Sequence, residues 1–431
     1  MQVSVESGAG LERRMTVDLP AEQFEAEVAN RLQQVARSAR LPGFRPGKVP
    51  LKILRQRFGA QIHQEVFGDL MQSSFSEAVE QQQLRPAGPP RVVPSIDHVG
   101  RRYGYTATFE VLPSITLGTL EGRAIRRPVV EVADADVEAM LERLRQQRKS
   151  WEKVERAAQP GDRVIASFTG TMDGEPVQGG SAQDRPIEIG AELLIPGFED
   201  GLVGASAGES RTLNLVFPED YHAKHLAGKP VVFEVAVSAV EGPVVPELDA
   251  ALARSYGVED GDVERFRQDV RANMERELRQ RVQARIKTQV MDALLAANPI
   301  EVPGVLVREE VGVLKARTNR SAGQSNMQLP DVLFEESARR RVALGLIIAE
   351  VVRQNGIAVD PQRVRAAVED MAATYESPKE VVDYYYASKD NLATIETMVL
   401  EDQVVDWVLG HARVEDEPLS FQQLTEGDAG R

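Results

Sequence analysis

Apolar and polar positions alternate with a period of two over 3–7 and again over 13–19, which predicts two strands. After Pro20 the period lengthens to that of a helix over 21–39. A turn rich in proline and glycine fills 41–50, and a second helical stretch runs to about position 83. Strand-like segments return at 92–96 and 103–112. Strands at both ends can pair with the helices laid on one face, so 1–112 is expected to be an α+β domain.

The pattern then changes. Residues 150–245 carry short apolar segments at 164–169, 187–189, 211–217 and 231–240. Turn signals separate them, including the hairpin-type pair Asp173-Gly174, so a compact β-rich domain is expected. The rest reads as helix in two pieces. A linker helix over 113–149, its charged part beginning at 134 and reaching about 150, is expected to precede the β-rich domain and join the helical body, and helices resume near 260 and continue to about 412. The chain is therefore a multi-domain α+β protein whose all-α body, 246–413 with the linking helix, is discontinuous. Asp360 before Pro361 predicts a helix N-cap, and Ser377-Pro378-Lys379-Glu380 predicts a capping box. Asn298-Pro299 and Asn355-Gly356 read as helix ends. The acidic tail 414–431 is expected to be disordered.

One helix has an unusual stripe. Phe266, Val270, Met274, Leu278, Val282, Ile286, Val290 and Leu294 recur at steps of four. Each step overshoots a turn by about 40°. Either several neighbours bury the stripe in turn, or part of it stays accessible.

Composition narrows the chemistry. The 431 residues suffice for two to four domains. With no cysteine there is no disulfide framework, thiolate zinc site, iron–sulfur cluster or cysteine nucleophile. The formal charge of −15 argues against a protein coated in nucleic acid. That charge is uneven: +2 over 1–112, −8 over 150–245 and −9 elsewhere. No acid occurs from 28 to 64, a stretch holding Arg31, Arg37, Arg40, Arg45, Lys48, Lys52, Arg55 and Arg57. A solvated helix face is the plain explanation, and a docking surface for a polyanion is the functional one. Phe44, in a turn with little local core, reads as an interface anchor. Gly43 and Gly47-Lys48 imitate a phosphate-binding loop but have three residues between the glycines and Val49 after the lysine, so no nucleotide is expected. His222 and His225 lack a third metal ligand nearby, and no histidine joins a hydrolytic triad. No signal peptide or membrane span is evident, so a cytoplasmic location is expected.

The turn Gly43-Phe44-Arg45-Pro46-Gly47-Lys48-Val49-Pro50 between two helices resembles the ribosome-docking signature of the bacterial trigger factor family, and the zones follow that family's order over essentially the whole chain. The resemblance implies an ATP-independent, ribosome-associated chaperone. Gly43, Phe44, Arg45, Gly47 and Lys48 would contact ribosomal RNA and protein beside the exit tunnel, and the helical body would cradle nascent and unfolded chains. Pro46 stands where many members have lysine. Met327, Leu329, Val332, Leu333 and Phe334 are candidate client contacts, and a homodimer away from the ribosome is implied.

Within the β-rich zone, Gly161-Asp162-Arg163-Val164, Phe168-Thr169-Gly170 and Leu194-Ile195-Pro196-Gly197-Phe198-Glu199-Asp200-Gly201-Leu202 resemble FKBP-type prolyl isomerases. Phe217-Pro218-Glu219-Asp220-Tyr221 and Val232-Phe233-Glu234-Val235 extend the match. The resemblance maps a proline-binding cup to Phe168, Val177, Leu194, Ile195, Phe198, Tyr221 and Phe233, with no cofactor or metal. Val177-Gln178 replaces the usual aromatic and carboxylate, and Arg185 replaces another aromatic, which implies weak to moderate activity. Ile189, Leu213 and Val235 read as barrel core. Two alternatives stand beside this reading: an isomerase with the helices as scaffold, and a pure holdase with a vestigial cup.

Overall fold

The computed structural model describes residues 1–38, 50–97, 102–221, 223–321, 323, 329–373, 375 and 377–426. Gly43, Phe44, Arg45, Gly47 and Lys48, with His222 and Met327, lie outside the described residues. The chain opens with β1 (Gln2–Ser7), β2 (Glu12–Leu19), α1 (Ala21–Ser38), α2 (Leu51–Gln81), β3 (Arg91–Asp97) and β4 (Arg102–Glu110). There follow β5 (Ala124–Val129), α3 (Asp134–Gln147), β6 (Ser150–Lys153), β7 (Arg163–Met172), β8 (Glu175–Glu188), β9 (Ser210–Val216) and β10 (Pro230–Val244). The helices α4 (Ala250–Ser255), α5 (Val263–Ala297), α6 (Gly304–Ser321), α7 (Val332–Asn355), α8 (Pro361–Ala372), α9 (Pro378–Ala387) and α10 (Lys389–His411) come next. The last elements are β11 (Arg413–Pro418) and α11 (Phe421–Glu426). Two compact units result: Met1–Arg127 with Ala284–Asp416, and Pro128–Gln283 with Glu417–Arg431.

In the first unit β1, β2, β4 and β3 form an antiparallel sheet in the order β1-β2-β4-β3. Alternation sends Met15, Val17 and Leu19 to one face of β2, where Phe24, Val28 and Leu32, one helical face of α1, meet them with Leu54, Ile62 and Val66 of α2. The strands and helices read from the pattern are thus present, with the helices on one face.

The long stripe of α5 is buried in two successive cores. Phe266, Val270, Met274 and Leu278 pack with Val137 and Leu141 of α3, Leu252 of α4 and Leu424 of α11. Val290 and Leu294 pack instead with Ile347, Val351, Val404 and Val408. The winding forced by a four-residue step is answered by a change of neighbours, so this stripe is core.

Three expectations need correction. The segment 113–149 is not one linking helix: β5 occupies part of it and only Asp134–Gln147 is helical. The tail is ordered as far as Glu426, because β11 pairs with β5 and α11 buries Phe421 and Leu424. Its acids mask a short apolar pair at helical spacing. Ser377 makes no side-chain cap, and Pro378 alone marks the start of α9. By contrast, the Asp360 carboxylate accepts the Gln362 amide, and Gly356 ends α7 at φ 61°.

Candidate active site: an aromatic cup in the β-rich domain

The second unit contains a five-stranded antiparallel sheet. β10 pairs with β7 along one edge and β8 continues from β7; the other edge of β10 takes β9 along its first half and β6 along its last residues. Asp173 and Gly174, both at positive φ, turn β7 into β8 as the Asp-Gly pair predicts. The inward residues Val164, Ala166 and Phe168 of β7 and Val231, Phe233, Val235 and Val237 of β10 form the core. Ile189, Leu213 and Val235 belong to it as read.

At one end this core opens. Phe168, Val177, Leu194, Ile195, Phe198, Tyr221 and Phe233 all line one recess of about 430 Å³. They come from β7, β8, the loop before Asp200, the loop after β9, and β10. Phe168, Phe198 and Phe233 form its floor as a triangle of edge-to-face rings, with centroids 5.1, 5.9 and 5.1 Å apart. Each such pair contributes about 0.5–1.5 kcal/mol beyond area burial. Leu194, Ile195 and Tyr221 are half-buried walls. Gly170 is required by the floor: a Cβ there would stand 2.6 Å from Phe233 Cε1.

The sequence motif did not reveal how the wall is held. Glu199, 8% exposed, accepts four backbone amides. Oε2 takes those of Gly190 and Glu192 at 2.9 Å each, and Oε1 those of Leu193 and Leu194 at 2.9 and 3.3 Å. Burial pushes this carboxyl up, but the four N–H groups together outweigh it and hold it below its ordinary value. One buried charge thereby fixes the loop carrying Leu194 and Ile195. Elsewhere in the domain, Asp162 is gripped by both terminal guanidinium nitrogens of Arg156 and by the Gln159 amide. Phe217 packs against Tyr221, ring centroids 4.7 Å apart and tilted by 43°, and also lines the recess, a contribution the motif did not reveal.

Among the described residues the lining contains no serine, cysteine, histidine or carboxylate. Such a lining is suited to binding and desolvation.

Two other surfaces bear on function. Arg37, Lys52, Arg55 and Arg57 flank the candidate docking turn in the chain, are exposed, and make no ion pair among the described residues. Arg31 instead pairs with Asp69 at 3.3 Å. Of the candidate client contacts, Val332 and Leu333 are 71% and 66% exposed and Leu329 is half-buried. Phe334 packs against Val307, Val311 and Ala338, so it belongs to a small core. Exposed Tyr375 and Tyr384, which the sequence reading did not single out, line a shallow groove with Tyr385 and Val381. No helix among the described residues is long and apolar enough to cross a membrane.

A small antiparallel sheet closed around an aromatic recess is the architecture of an FKBP-type peptidyl-prolyl cis-trans isomerase domain, and residues 154–238 match that family. Residues 1–144 match the family described as bacterial trigger factor protein (TF), and 262–410 match its C-terminus. A trigger factor from Thioalkalivibrio sulfidiphilus is 48% identical over 98% of this chain and 98% of its own. One from Pseudomonas paraeruginosa is 50% identical over 99% of this chain and 98% of its own. A solved trigger factor chaperone chain aligns over 95% of this chain and 99% of its own, at TM-score 0.49 and 19% identity; the family assignment rests on the sequence matches. The chain belongs to the bacterial trigger factor family, ribosome-associated chaperones that carry an FKBP-type isomerase domain.

Proposed function

We propose that the cup seats a prolyl ring of an unfolded client on Phe168, Phe198 and Phe233 and catalyses rotation about the preceding peptide bond. The observation that carries this reading is the convergence of seven residues from five segments on one recess floored by aromatic rings. Resonance keeps the amide planar with a barrier of about 18–20 kcal/mol. Twisting it removes charge separation, so a water-poor apolar wall stabilises the twisted amide relative to the planar one. The wall must already be in place, and Glu199 holds it there. Val177 and Gln178 leave one side without a ring or a charge, so we assign weak to moderate activity. That same departure favours the second reading, a pure holdase.

The docking turn, through Gly43, Phe44, Arg45, Gly47 and Lys48, is assigned to the ribosome beside the exit tunnel, with Arg37, Lys52, Arg55 and Arg57 as its electrostatic surround. Exposed Val332 and Leu333, with Leu329 and Met327, are assigned to nascent and unfolded chains. The cycle needs no nucleotide, takes place in the cytoplasm, and includes a homodimer off the ribosome.

Refolding of a proline-limited protein with catalytic amounts of the full chain tests the isomerase. Acceleration that is lost in Ile195→Ala supports it. Aggregation suppressed with no acceleration at all leaves the holdase reading.

A further inference from the structure

Among the described residues lining the cup, Arg185 alone carries a charge. Its presence there depends on an irregularity in the sheet. Ala182 lies opposite Phe168, and Arg185 lies opposite Ala166, so one residue on β7 faces two on β8. Strict alternation from the inward-facing Ala182 would send position 185 to the outer face; the extra residue turns it inward. Asp184, at φ 44°, forms the bulge. Its amide donates to Ser167 Oγ at 3.0 Å, and its Oδ1 accepts from Ser238 Oγ at 3.0 Å. The bulge is thus pinned to β7 and, beyond it, to β10.

Arg185 is exposed and makes no ion pair or side-chain hydrogen bond among the described residues. Gln178, on the same strand, is neutral. The buried carboxylate that holds the wall, Glu199, is consumed by four amides. The one charge among the described lining residues is therefore cationic, in a domain whose net charge is −8 and whose Asp184, Glu192, Glu219 and Asp220 adjoin lining residues in the chain.

We propose that Arg185 is a specificity-determining residue: it makes the cup prefer X–Pro segments with a carboxylate flanking the proline and disfavour those with a cation there. This rests on the isomerase reading of the cup. The contact is solvent-accessible, so discrimination is modest, about fivefold in kcat/KM between glutamate and lysine at low salt.

The test uses the full chain and blocked tetrapeptides with glutamate, leucine or lysine before the proline, and a matching series varied after it. In at least one series the glutamate peptide should turn over about fivefold better than the lysine peptide, and the ratio should shrink toward one at about 0.5 M salt. Arg185→Gln should abolish the ratio, Arg185→Lys should retain it, and Arg185→Glu should invert it. Equal turnover of glutamate and lysine peptides in both series, or a ratio unchanged in Arg185→Gln, overturns the proposal. No turnover of any peptide, leucine included, overturns the isomerase reading and this inference with it.

Discussion

The cup and the end of the helical hairpin around Val332 both offer apolar surface to solvent, in opposite ways. In the cup the rings are almost wholly buried, with Phe198 at 1%, and only their inner faces meet the recess. At the start of α7, Val332 and Leu333 are 71% and 66% exposed, with no wall around them among the described residues. A concave, pre-set surface can distinguish two shapes of one bond. A convex, uncovered surface accepts many sequences without distinguishing conformations. The difference suggests that isomerisation and holding are separable, and substitutions should divide them cleanly.

The largest effect is expected at the floor of the cup. Phe198→Ala should remove catalysis of proline-limited refolding and cost the domain about 3–5 kcal/mol, read from urea unfolding. Because unfolding alone would also remove catalysis, Ile195→Ala on the half-buried wall is the cleaner probe: a loss of at least tenfold in kcat/KM with little change in the melt. Glu199→Ala comes next. It leaves up to four amides without their acceptor, and we expect a loss of about 3 kcal/mol. Glu199→Gln should lose less and also change the pH response. The folded carboxyl lies below its ordinary value, so its contribution is complete above the unfolded pKa and is lost as pH falls through the folded one. Wild-type cup stability should therefore decline on acidification below about pH 4.5, and Glu199→Gln should flatten that decline.

At the helical surface the effects are smaller and of a different kind. Val332→Ser with Leu333→Ser should weaken suppression of client aggregation a few-fold while leaving stability within about 0.5 kcal/mol, since neither side chain is buried. Isomerase turnover of a short peptide should not change. Smallest per residue is the effect expected at the basic residues flanking the proposed docking turn. Replacing Arg37, Lys52, Arg55 and Arg57 by glutamine should lower ribosome co-sedimentation and flatten its salt dependence, each residue contributing a fraction of the whole.

The two regions also differ in how legible they were. The cup could be placed because Ile195-Pro196-Gly197-Phe198 fixes which rings and turns converge. Every cup residue named from that match lines the recess. Glu199 escaped notice as a support because its partners are backbone amides, which leave no signature in sequence. Arg185 could be placed at the cup through the resemblance but not through alternation, since a single bulge reverses the face that alternation predicts. In the helices, periodicity identified apolar positions but not their neighbours. It could not tell that Phe334 joins Val307 and Val311 while Leu333, one residue earlier, stays outside. The tail misled for a related reason: Glu415, Asp416 and Glu417 dominate its composition, while Phe421 and Leu424 determine its packing.

The most direct test of separable catalysis and holding is one paired measurement on the full chain and its Ile195→Ala variant. The rate of a proline-limited refolding reaction and the suppression of aggregation of the same client are read side by side. The account predicts that Ile195→Ala loses the acceleration and keeps the suppression. If acceleration survives in the variant, or if both properties fall together while the chain remains folded, the account is contradicted.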